Sequence, residues 1–320
     1  MKKYDVVALG ELLIDFTQNG KSEQGNPMFE ANPGGAPCNV LAILSKLGHK
    51  TAFIGKVGND FFGKELKGAL DEVGIDAKYL YMDDEVHTTL AMVHTYPDGD
   101  RDFSFYRNPG ADMMLNEDEI SEELLQGTKI FHFGTLSMTH EGVRAATKKA
   151  LKIAKEAGAI ISFDPNLRPP LWDSLENAKE QVLYGLNYCD ILKISDNEIQ
   201  WLTGEDDYTE GVNWILERYQ IPLILVSMGK EGSRAYYKGN MVEVAPFLQK
   251  NTIETTGAGD TFGGCVLHYI CEHGLDDLTE NGLTEMLRFA NAAAALITTR
   301  KGALRVMPSV EEINTILENN

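Results

Sequence analysis

The residues best suited to chemistry lie in one loop late in the chain. Thr255-Thr256-Gly257-Ala258-Gly259-Asp260 opens the apolar stretch Phe262–Cys271, which we expect to be a helix. Small side chains leave the loop's N–H groups uncovered at the positive end of the helix dipole, and this arrangement favours the binding of an anion. A carboxylate in the first turn would be ionised, and phosphoryl transfer tolerates so weak a base. The alternative is an ordinary glycine-rich helix start whose acid complements the dipole.

A second cluster, Asn32-Pro33-Gly34-Gly35-Ala36-Pro37-Cys38-Asn39, precedes a predicted helix over Pro37–Leu47. Gly34 and Gly35 let the backbone approach a ligand closely, and the Asn39 amide can both donate to and accept from sugar hydroxyls. Asp15 follows the first apolar run and is a candidate acceptor for two hydroxyls. A plain turn before a helix, with Asp15 as a cap, explains the same residues without a ligand.

Three polar segments follow apolar runs that we interpret as strands. They are Asp164-Pro165-Asn166-Leu167-Arg168, Ser195-Asp196-Asn197-Glu198 and Ser227-Met228-Gly229-Lys230-Glu231-Gly232. Ligands of open α/β sheets gather at the carboxyl ends of strands, so each segment is a candidate for ligand binding. Glu198 suits a magnesium ion held through water, although Ser195 and Glu198 also match a helix capping box. The third segment either contacts nucleotide phosphates or is a hairpin turn into Ala235–Tyr237.

Arg107, in Tyr106-Arg107-Asn108, is a candidate to reach a sugar or phosphate oxygen, although a solvated hairpin arginine is the commoner case. Two further motifs are rejected. The segment 58–65 nearly spells a phosphate-binding P-loop, but it ends in Glu65 where Ser or Thr would bind magnesium, so we predict a helix start. Gly257-Ala258-Gly259 lacks the third glycine of a dinucleotide fingerprint.

The elements that must position these residues alternate along the chain. We predict strands at Asp5–Leu9, Thr51–Lys56, Ile130–Phe133, Ala159–Phe163, Ile191–Ile194 and Leu223–Val226. Further helices are predicted at Phe61–Val73, Glu141–Ala157, Leu175–Leu186, Glu198–Leu202 and Pro308–Glu318. This alternation indicates an α/β fold with a mostly parallel, doubly wound sheet and helices on both faces.

Two segments interrupt the alternation. Leu12–Pro33 and Val86–Asp112 contain strand-like pieces, among them Thr88–Tyr96 and Asp102–Tyr106 around a Pro97-Asp98-Gly99-Asp100 turn. We predict a small inserted β-sheet that forms a lid over the ligand end of the fold, with surface hairpins as the alternative. No linker-like segment divides the chain, so residues 1–320 are interpreted as one domain with lid insertions at about 12–33 and 86–112.

Charge and cysteine content narrow the possible partners. The formal net charge of the 320 residues is -19, which argues against nucleic acid and against an anionic membrane surface. The four cysteines form no C-x-x-C pair and no zinc-type spacing with histidine.

The first residues, with Glu11 and Asp15 inside the apolar run, do not match a signal peptide, and no apolar run approaches the length of a membrane span. We expect a cytoplasmic protein.

Taken together, the motifs resemble the ribokinase-like (PfkB) carbohydrate kinase family over nearly the whole chain. Gly-Gly-x-x-x-Asn at 34–39 is similar to the family's first signature, the segment 254–260 to its second, and Phe289–Gly302 to its C-terminal helix and loop. Within the family, the segments 10–16, 34–37, 107–112 and 164–172 resemble bacterial and plant fructokinases. The chain departs from the family at Ser195, where Asn is usual, and at Glu254, where Asp is common.

The resemblance implies an ATP-dependent transfer of the γ-phosphoryl group to a sugar's primary hydroxyl, with D-fructose giving fructose 6-phosphate. A 2-keto-3-deoxygluconate kinase, a ribokinase and a non-catalytic sugar sensor are the alternatives. The resemblance also implies Mg²⁺ as a cofactor and a homodimer as the assembly. K⁺ is a further candidate cation, which would bind near the Glu254 loop. It assigns Asp15, Gly34, Gly35, Asn39, Arg107, Arg168 and Asp260 to the sugar, with the 257–260 loop as anion hole and Asp260 as base. It assigns Lys193, Ser227, Gly229, Gly232, Gly257, Gly259 and Asn291 to the nucleotide, and Glu198, Asp164 and Asn166 to the magnesium network.

Overall fold

A computed structural model of the chain describes residues 2–95 and 101–319. Within them, short apolar runs form the strands of a large central sheet. These strands are β1 (Tyr4–Leu9), β4 (Thr51–Gly58), β5 (Ile75–Asp83), β8 (Thr128–Gly134), β9 (Ile160–Asp164), β10 (Ile191–Ser195), β11 (Leu223–Ser227), β12 (Ser233–Tyr237) and β13 (Asn240–Val244). The spatial order is β13-β12-β11-β10-β9-β8-β1-β4-β5, parallel from β11 to β5, while β12 and β13 form an antiparallel hairpin at one edge.

Helices cover both faces of this sheet. They are α1 (Ala36–Lys46), α2 (Phe61–Glu72), α3 (Glu122–Gln126), α4 (Glu141–Glu156), α5 (Leu175–Leu186), α6 (Asp196–Thr203), α7 (Tyr208–Leu216), α8 (Ala258–His273), α9 (Glu280–Ile297) and α10 (Val310–Glu318). The central strands are predominantly apolar because both of their faces are buried. In β1, Val6 and Ala8 point into the core under α1, α8 and α9, while Val7 and Leu9 point into the core under α4 and α5.

A second, smaller sheet is formed by the two interrupting segments. Its strands are β2 (Leu13–Lys21), β3 (Pro27–Gly34), β6 (Leu90–Thr95) and β7 (Arg101–Tyr106), in the order β3-β2-β6-β7. Strand β2 starts four residues after β1 ends and continues from the carboxyl end of the large sheet. The predicted turn 97–100 lies outside the described residues.

The predicted fold class is therefore confirmed, with a mostly parallel sheet between two helical layers and a small second sheet. Strand β5 was not predicted from the sequence, and its residues are a mixture of buried, half-buried and exposed positions at the sheet edge. The near-P-loop at 58–65 is the start of α2, as predicted, and its Asp60 side chain accepts a hydrogen bond from Gly63 N at 2.8 Å. Among the described residues, no helix combines the length and the apolar character needed to cross a membrane.

Candidate active site

The small-residue loop forms the start of α8, as the sequence predicted. Gly257 is the residue before the helix and has φ 75°, in the left-handed region that glycine adopts without strain. A Cβ at this position would lie 2.7 Å from the Ala303 Cβ, so only glycine fits here without a shift. Ala258 N donates to Thr255 O at 3.2 Å, and Gly257 supplies no side chain to cap the other first-turn amides. The first turn of α8 therefore has backbone N–H groups without a side-chain cap, and Gly257 and Gly259 line the cleft.

Asp260 follows in the same turn and lies among amide side chains. Its Oδ2 accepts a hydrogen bond from Asn39 Nδ2 at 2.8 Å, and its Oδ1 accepts one from Asn166 Nδ2 at 3.4 Å. Burial raises the pKa of Asp260, and the Asn39 hydrogen bond with the charges of Lys193 and Arg168 offsets only part of that effect. A carboxylate with a raised pKa is a better proton acceptor than an exposed aspartate.

A buried ion pair lies beside the loop. Lys193 Nζ contacts Asp164 Oδ2 at 2.9 Å, and it lies 3.2 Å from where a Cβ of Gly259 would stand. Burial alone would lower the pKa of Lys193, but the carboxylates of Asp164, Glu198 and Asp260 raise it overall, so the side chain remains an ammonium ion. Burial raises the pKa of Asp164 to about 6 against the opposing effect of Lys193. The loop therefore has a fixed cation next to its amides.

Glu198 forms the capping box that its sequence spacing also allowed. Its Oε2 accepts hydrogen bonds from Ser195 N and Ser195 Oγ at 2.8 Å, while Oε1 accepts one from Leu167 N at 2.7 Å. Glu198 nevertheless lines the cleft that also contains the α8 loop. Because both oxygens already accept protein hydrogen bonds, water-mediated contact with a magnesium ion suits Glu198 better than direct coordination.

One cavity of about 530 Å³ joins these groups at the carboxyl ends of the strands. Most of the residues predicted for the site line it. On the sugar side these are Asp15, Gly35, Asn39, Arg168 and Asp260, on the nucleotide side Lys193, Ser227, Gly229, Gly257 and Gly259, and in the magnesium network Asn166 and Glu198. Asp164 lines a small adjoining pocket of about 10 Å³ with Asn166 and Asp260. The cavity is therefore continuous from the small sheet, through the α8 loop, to the ends of β10 and β11.

Asn39, which lines this cavity, has a buried hydrogen-bonding atom without a partner among the described residues. The residue is 4% exposed, and its Oδ1 has no hydrogen-bond partner among the described residues. The contact of its Nδ2 with the Asp260 carboxylate fixes which end of the amide is the acceptor. A buried acceptor without a partner is unfavourable, and a ligand hydroxyl is the natural donor for it.

Gly34 lies behind the cavity and positions one of its side chains. A Cβ at Gly34 would lie 2.3 Å from Asp15 Oδ2, so the absence of a side chain allows the Asp15 carboxylate to pack against β3. Asp15 and Asn32 are paired in register between β2 and β3, at the base of the small sheet. Gly34 therefore supports Asp15 from behind.

Arg107 does not line the cavity itself but lies directly behind Leu136, which does. Its guanidinium is buried and contacts Asp112 Oδ2 at 2.7 Å, Leu136 O at 3.0 Å and Thr139 Oγ1 at 2.9 Å. These partners join the loop after β7 to the loop after β8. These contacts show a structural role for Arg107. Contact with a sugar would require them to break, so the assignment of Arg107 to the sugar stays a prediction.

Gly232 and Asn291 also serve the edge hairpin rather than the cavity surface. Gly232 has φ 102°, and a Cβ there would meet Val244 O at 2.2 Å. The Asn291 amide donates to Val244 O and Ala245 O at 3.2 Å and accepts from Ser233 Oγ at 2.9 Å. Their assignment to the nucleotide also stays a prediction.

Several lining residues were not predicted, and Glu11 is the most informative of them. It is 5% exposed, its Oε1 accepts a hydrogen bond from Ala36 N at 2.8 Å, and burial raises its pKa to about 7. The signal that identified Asp15, a carboxylate directly after an apolar strand, applies equally to Glu11. Leu13, Phe105 and Leu136 give the cavity an apolar wall that depends on tertiary contacts no local pattern reveals.

The arrangement has the parts of a phosphoryl-transfer site. A carboxylate, uncapped helix amides and a buried ammonium meet where an alcohol and a polyphosphate would react. The fold and cleft thus define a phosphotransferase that acts on an alcohol group.

Residues 3–310 match the pfkB family of carbohydrate kinases, and the chain belongs to that family. It is 42% identical over 317 residues to probable fructokinase-4 of Arabidopsis thaliana, covering 98% of this chain and 97% of that protein. The fructokinase of Xylella fastidiosa with bound ATP superimposes with a TM-score of 0.89 at 30% identity, covering 100% and 99% of the two chains. The fructokinase of Vibrio cholerae with fructose, ADP and a calcium ion gives a TM-score of 0.87 at 30% identity, covering 98% and 99%.

Proposed function

We propose that this chain transfers the γ-phosphoryl group of ATP to the primary hydroxyl of D-fructose and releases fructose 6-phosphate and ADP. The observation that carries the proposal is the position of Asp260, which is in the first turn of a helix without a side-chain cap and is held by Asn39 and Asn166. The plant relative and the two bacterial structures, all fructokinases by name, support fructose as the acceptor.

The sugar occupies the part of the cavity nearest the small sheet. Asp15 accepts hydrogen bonds from sugar hydroxyls, Asn39 Oδ1 accepts another, and Arg168 donates to a sugar oxygen. Fructose offers several adjacent hydroxyls, which match the acceptor oxygens of Asp15 and Asn39 on this side of the cavity. The small sheet acts as the lid, excluding water so that ATP is not hydrolysed without a sugar.

Asp260 accepts the proton of the primary hydroxyl as that oxygen attacks the γ-phosphorus. Charge develops on the transferring phosphoryl oxygens, and the N–H groups of Gly259 and Asp260 stabilise it as an anion hole. Lys193 adds a fixed positive charge beside them, and Asp164 holds the ammonium in place. Ser227 and Gly229 line the part of the cavity that takes the rest of the nucleotide.

Magnesium fits the donor set of this cleft, because Glu198, Asp164 and Asn166 offer oxygen ligands. When bound, it neutralises charge on the nucleotide phosphates. Glu198 would hold the ion through water, and Asp164 and Asn166 would orient those waters. We also propose that K⁺ binds near the loop of Glu254, whose carboxylate accepts a hydrogen bond from Gly302 N at 2.8 Å.

A homodimer through the small sheet is proposed for a different reason. Its outer strands β3 and β7 have free edges within the described residues, and Met28, Phe29 and Tyr106 are 46%, 37% and 65% exposed. A second copy covering this surface would bury apolar side chains and protect the edges. Light scattering after gel filtration tests this, and a monomer at all working concentrations would disprove it.

The cytoplasmic location expected from the sequence stays a prediction.

The decisive experiment measures ADP release for Asp260→Asn with fructose as acceptor. Loss of the base should lower kcat by about 10³-fold while fructose binding, measured by calorimetry, changes little. Glu280→Gln, which alters an exposed first-turn acid of α9, is the control and should keep full turnover. Near-normal turnover of Asp260→Asn would remove Asp260 from the base role.

A panel of acceptors tests the sugar separately. Fructose, ribose and 2-keto-3-deoxygluconate are compared by kcat/KM in the wild-type protein. A clear preference for either of the last two would overturn the fructose assignment while leaving the phosphotransferase intact. Sugar binding without any ADP release would favour a sugar sensor.

A further inference from the structure

The opposite end of the molecule carries a histidine cluster that the proposed reaction does not use. His49 lies in the turn between α1 and β4, at the amino end of the strands, and His268 and Glu272 lie in the last turns of α8. Ligand atoms of these three residues all lie within 4.8 Å of one another. Because α8 starts at the cleft and is 16 residues long, the cluster is about 20 Å from the loop proposed to bind phosphate.

The two imidazoles contact each other through ring nitrogens. His49 Nε2 lies 2.7 Å from His268 Nδ1, so one of the two atoms carries the shared proton. His49 Nδ1 faces Asp5 Oδ2 at 3.8 Å, which favours the proton on Nδ1 and leaves the lone pair on Nε2. Asp5 thus lies on the side of the ring where a metal-ligating imidazole usually has a carboxylate, at a distance longer than a hydrogen bond.

The surroundings hold these groups in place. The His49 side chain is 6% exposed, and the His268 ring packs against Phe289 with centroids 5.6 Å apart. Asp5 is fixed by Lys129 Nζ at 2.7 Å and by Lys50 N at 2.9 Å. Lys129 opposes a cation, but its charge is already paired with Asp5. The cluster therefore keeps two imidazoles and the Glu272 carboxylate for a ligand.

We propose that His49, His268 and Glu272 bind a borderline divalent transition metal, best represented by Zn²⁺, with water as a fourth ligand. Two imidazole nitrogens and one carboxylate oxygen are a common donor set for zinc. Tetrahedral coordination needs the two nitrogens about 3.3 Å apart, so the rings must separate by about 0.6 Å. The proton on His268 Nδ1 moves through solvent to Nε2 of the same ring, which leaves the Nδ1 lone pair for the metal. The metal would join the C-terminal turn of α8 to the α1–β4 turn, and so connect the far ends of the two helices that contact each other through Asn39 and Asp260.

The test is a zinc titration of the full chain without a polyhistidine tag, in excess Mg²⁺, against a chromogenic zinc chelator. We expect one equivalent bound with a Kd of about 1 μM or lower. His49→Gln and His268→Gln should each weaken binding by at least about 10-fold, and the exposed Glu272→Gln, which cannot disturb the core, by a smaller factor. His273→Gln, the next residue of the same helix and outside the cluster, is the matched control and should bind as the wild type does.

Kinase turnover of each variant tests whether it is folded, because the cluster lies far from the cleft and its loss should not affect the reaction directly. Zinc should also raise the Tm of the wild type and of His273→Gln, but not of the two histidine variants. Binding only at millimolar zinc, or equal binding in all variants, would overturn the site. Loss of binding in Cys271→Ser instead would also overturn the assigned ligands, because that thiol is next to Glu272 but outside the proposed set.

Discussion

The N-termini of α2 and α8 look alike in sequence but differ in structure. Both combine glycines with an aspartate, at 58–63 and 257–260. In α2, Asp60 precedes the helix, and its carboxylate accepts from Gly63 N at 2.8 Å and Thr88 N at 2.8 Å. In α8, Gly257 precedes the helix, and Asp260 comes three residues later, where it cannot cap the first amides. The start of α2 is capped by its own side chain, and the start of α8 has no side-chain cap.

From this difference we infer that the residue at the N-cap determines whether a glycine-rich helix start can bind an anion. A capping side chain satisfies the first-turn N–H groups and so competes directly with a phosphate. Glycine at the cap costs backbone entropy but leaves those groups available. The predictions below test whether the two starts can be distinguished by activity and by stability.

The largest effect is expected for Gly257→Ala. The new Cβ would meet the Ala303 Cβ at 2.7 Å, and alanine is strained at φ 75°, so the loop should shift. We expect kcat/KM for ATP to fall by at least about 100-fold, the cost of losing one aligned oxyanion donor. Steady-state kinetics with ATP as the varied substrate checks this.

Two variants sharpen the result. Gly257→Ala combined with Ala303→Gly removes the clash but not the backbone strain, and should recover part of the activity. Gly263→Ala, in the same helix but with open space around the new Cβ, should be neutral. Equal losses in Gly257→Ala and Gly263→Ala would show that the open start of α8 has no special role.

The central sheet could be predicted from the sequence because its strands are buried on both faces. A strand such as Leu223–Ser227 is apolar wherever it contacts the core, which gives a continuous signal. Strand β5 lies at the edge, and its residues reach water on one side, so its pattern Ile75–Asp83 is mixed. A continuous apolar pattern therefore predicts the buried central strands but not a partly exposed edge strand such as β5.

The site was predictable for a related reason, and only in part. Segments after parallel strands must meet at one edge of the sheet, so Asp164, Ser195 and Ser227 could be grouped by their positions in the sequence alone. Partners chosen by tertiary packing could not be grouped in this way. The pairing of Arg107 with Asp112 and the hydrogen bonds from Asn291 to the hairpin after β11 depend on distances that no spacing rule fixes.

The next effect is on stability and concerns the closed start of α2. Asp60→Ala should lower the free energy of unfolding by about 3 kcal/mol, since it removes a cap and leaves buried N–H groups without an acceptor. Turnover should be unchanged, because Asp60 lies outside the cleft lining. Denaturant unfolding checks the first statement and ADP release the second.

The Asp60 effect should also depend on pH. Burial alone would raise its pKa, but hydrogen bonds from Thr88 and Gly63 outweigh burial and lower it. The stabilisation is therefore present above the unfolded pKa of about 4 and is lost as pH falls through the lower folded value. Asp71→Ala, at an exposed site in the last turn of the same helix, should change stability by no more than about 0.5 kcal/mol. A similar loss in both variants would show that the cap is not the cause.

Helix α1 is intermediate between these two cases and gives the smallest expected effect. Its cap residue is Gly35, as open as Gly257, yet Ala36 N is satisfied by the Glu11 carboxylate from 25 residues away. Burial raises the pKa of Glu11 to about 7, so between about pH 4.5 and 7 the folded state binds more protons than the unfolded state. Glu11 therefore makes folding less favourable as pH rises through that window.

Glu11→Gln keeps the side-chain oxygen that accepts from Ala36 N but removes the charge. It should match the wild type in stability near pH 4.5 and exceed it by about 1–3 kcal/mol above pH 7. Unfolding in denaturant at several pH values measures the difference. A constant difference across that range would mean that Glu11 does not titrate in the fold. It would also mean that α1 is closed by a permanent anion, which would make its start equivalent to that of α2.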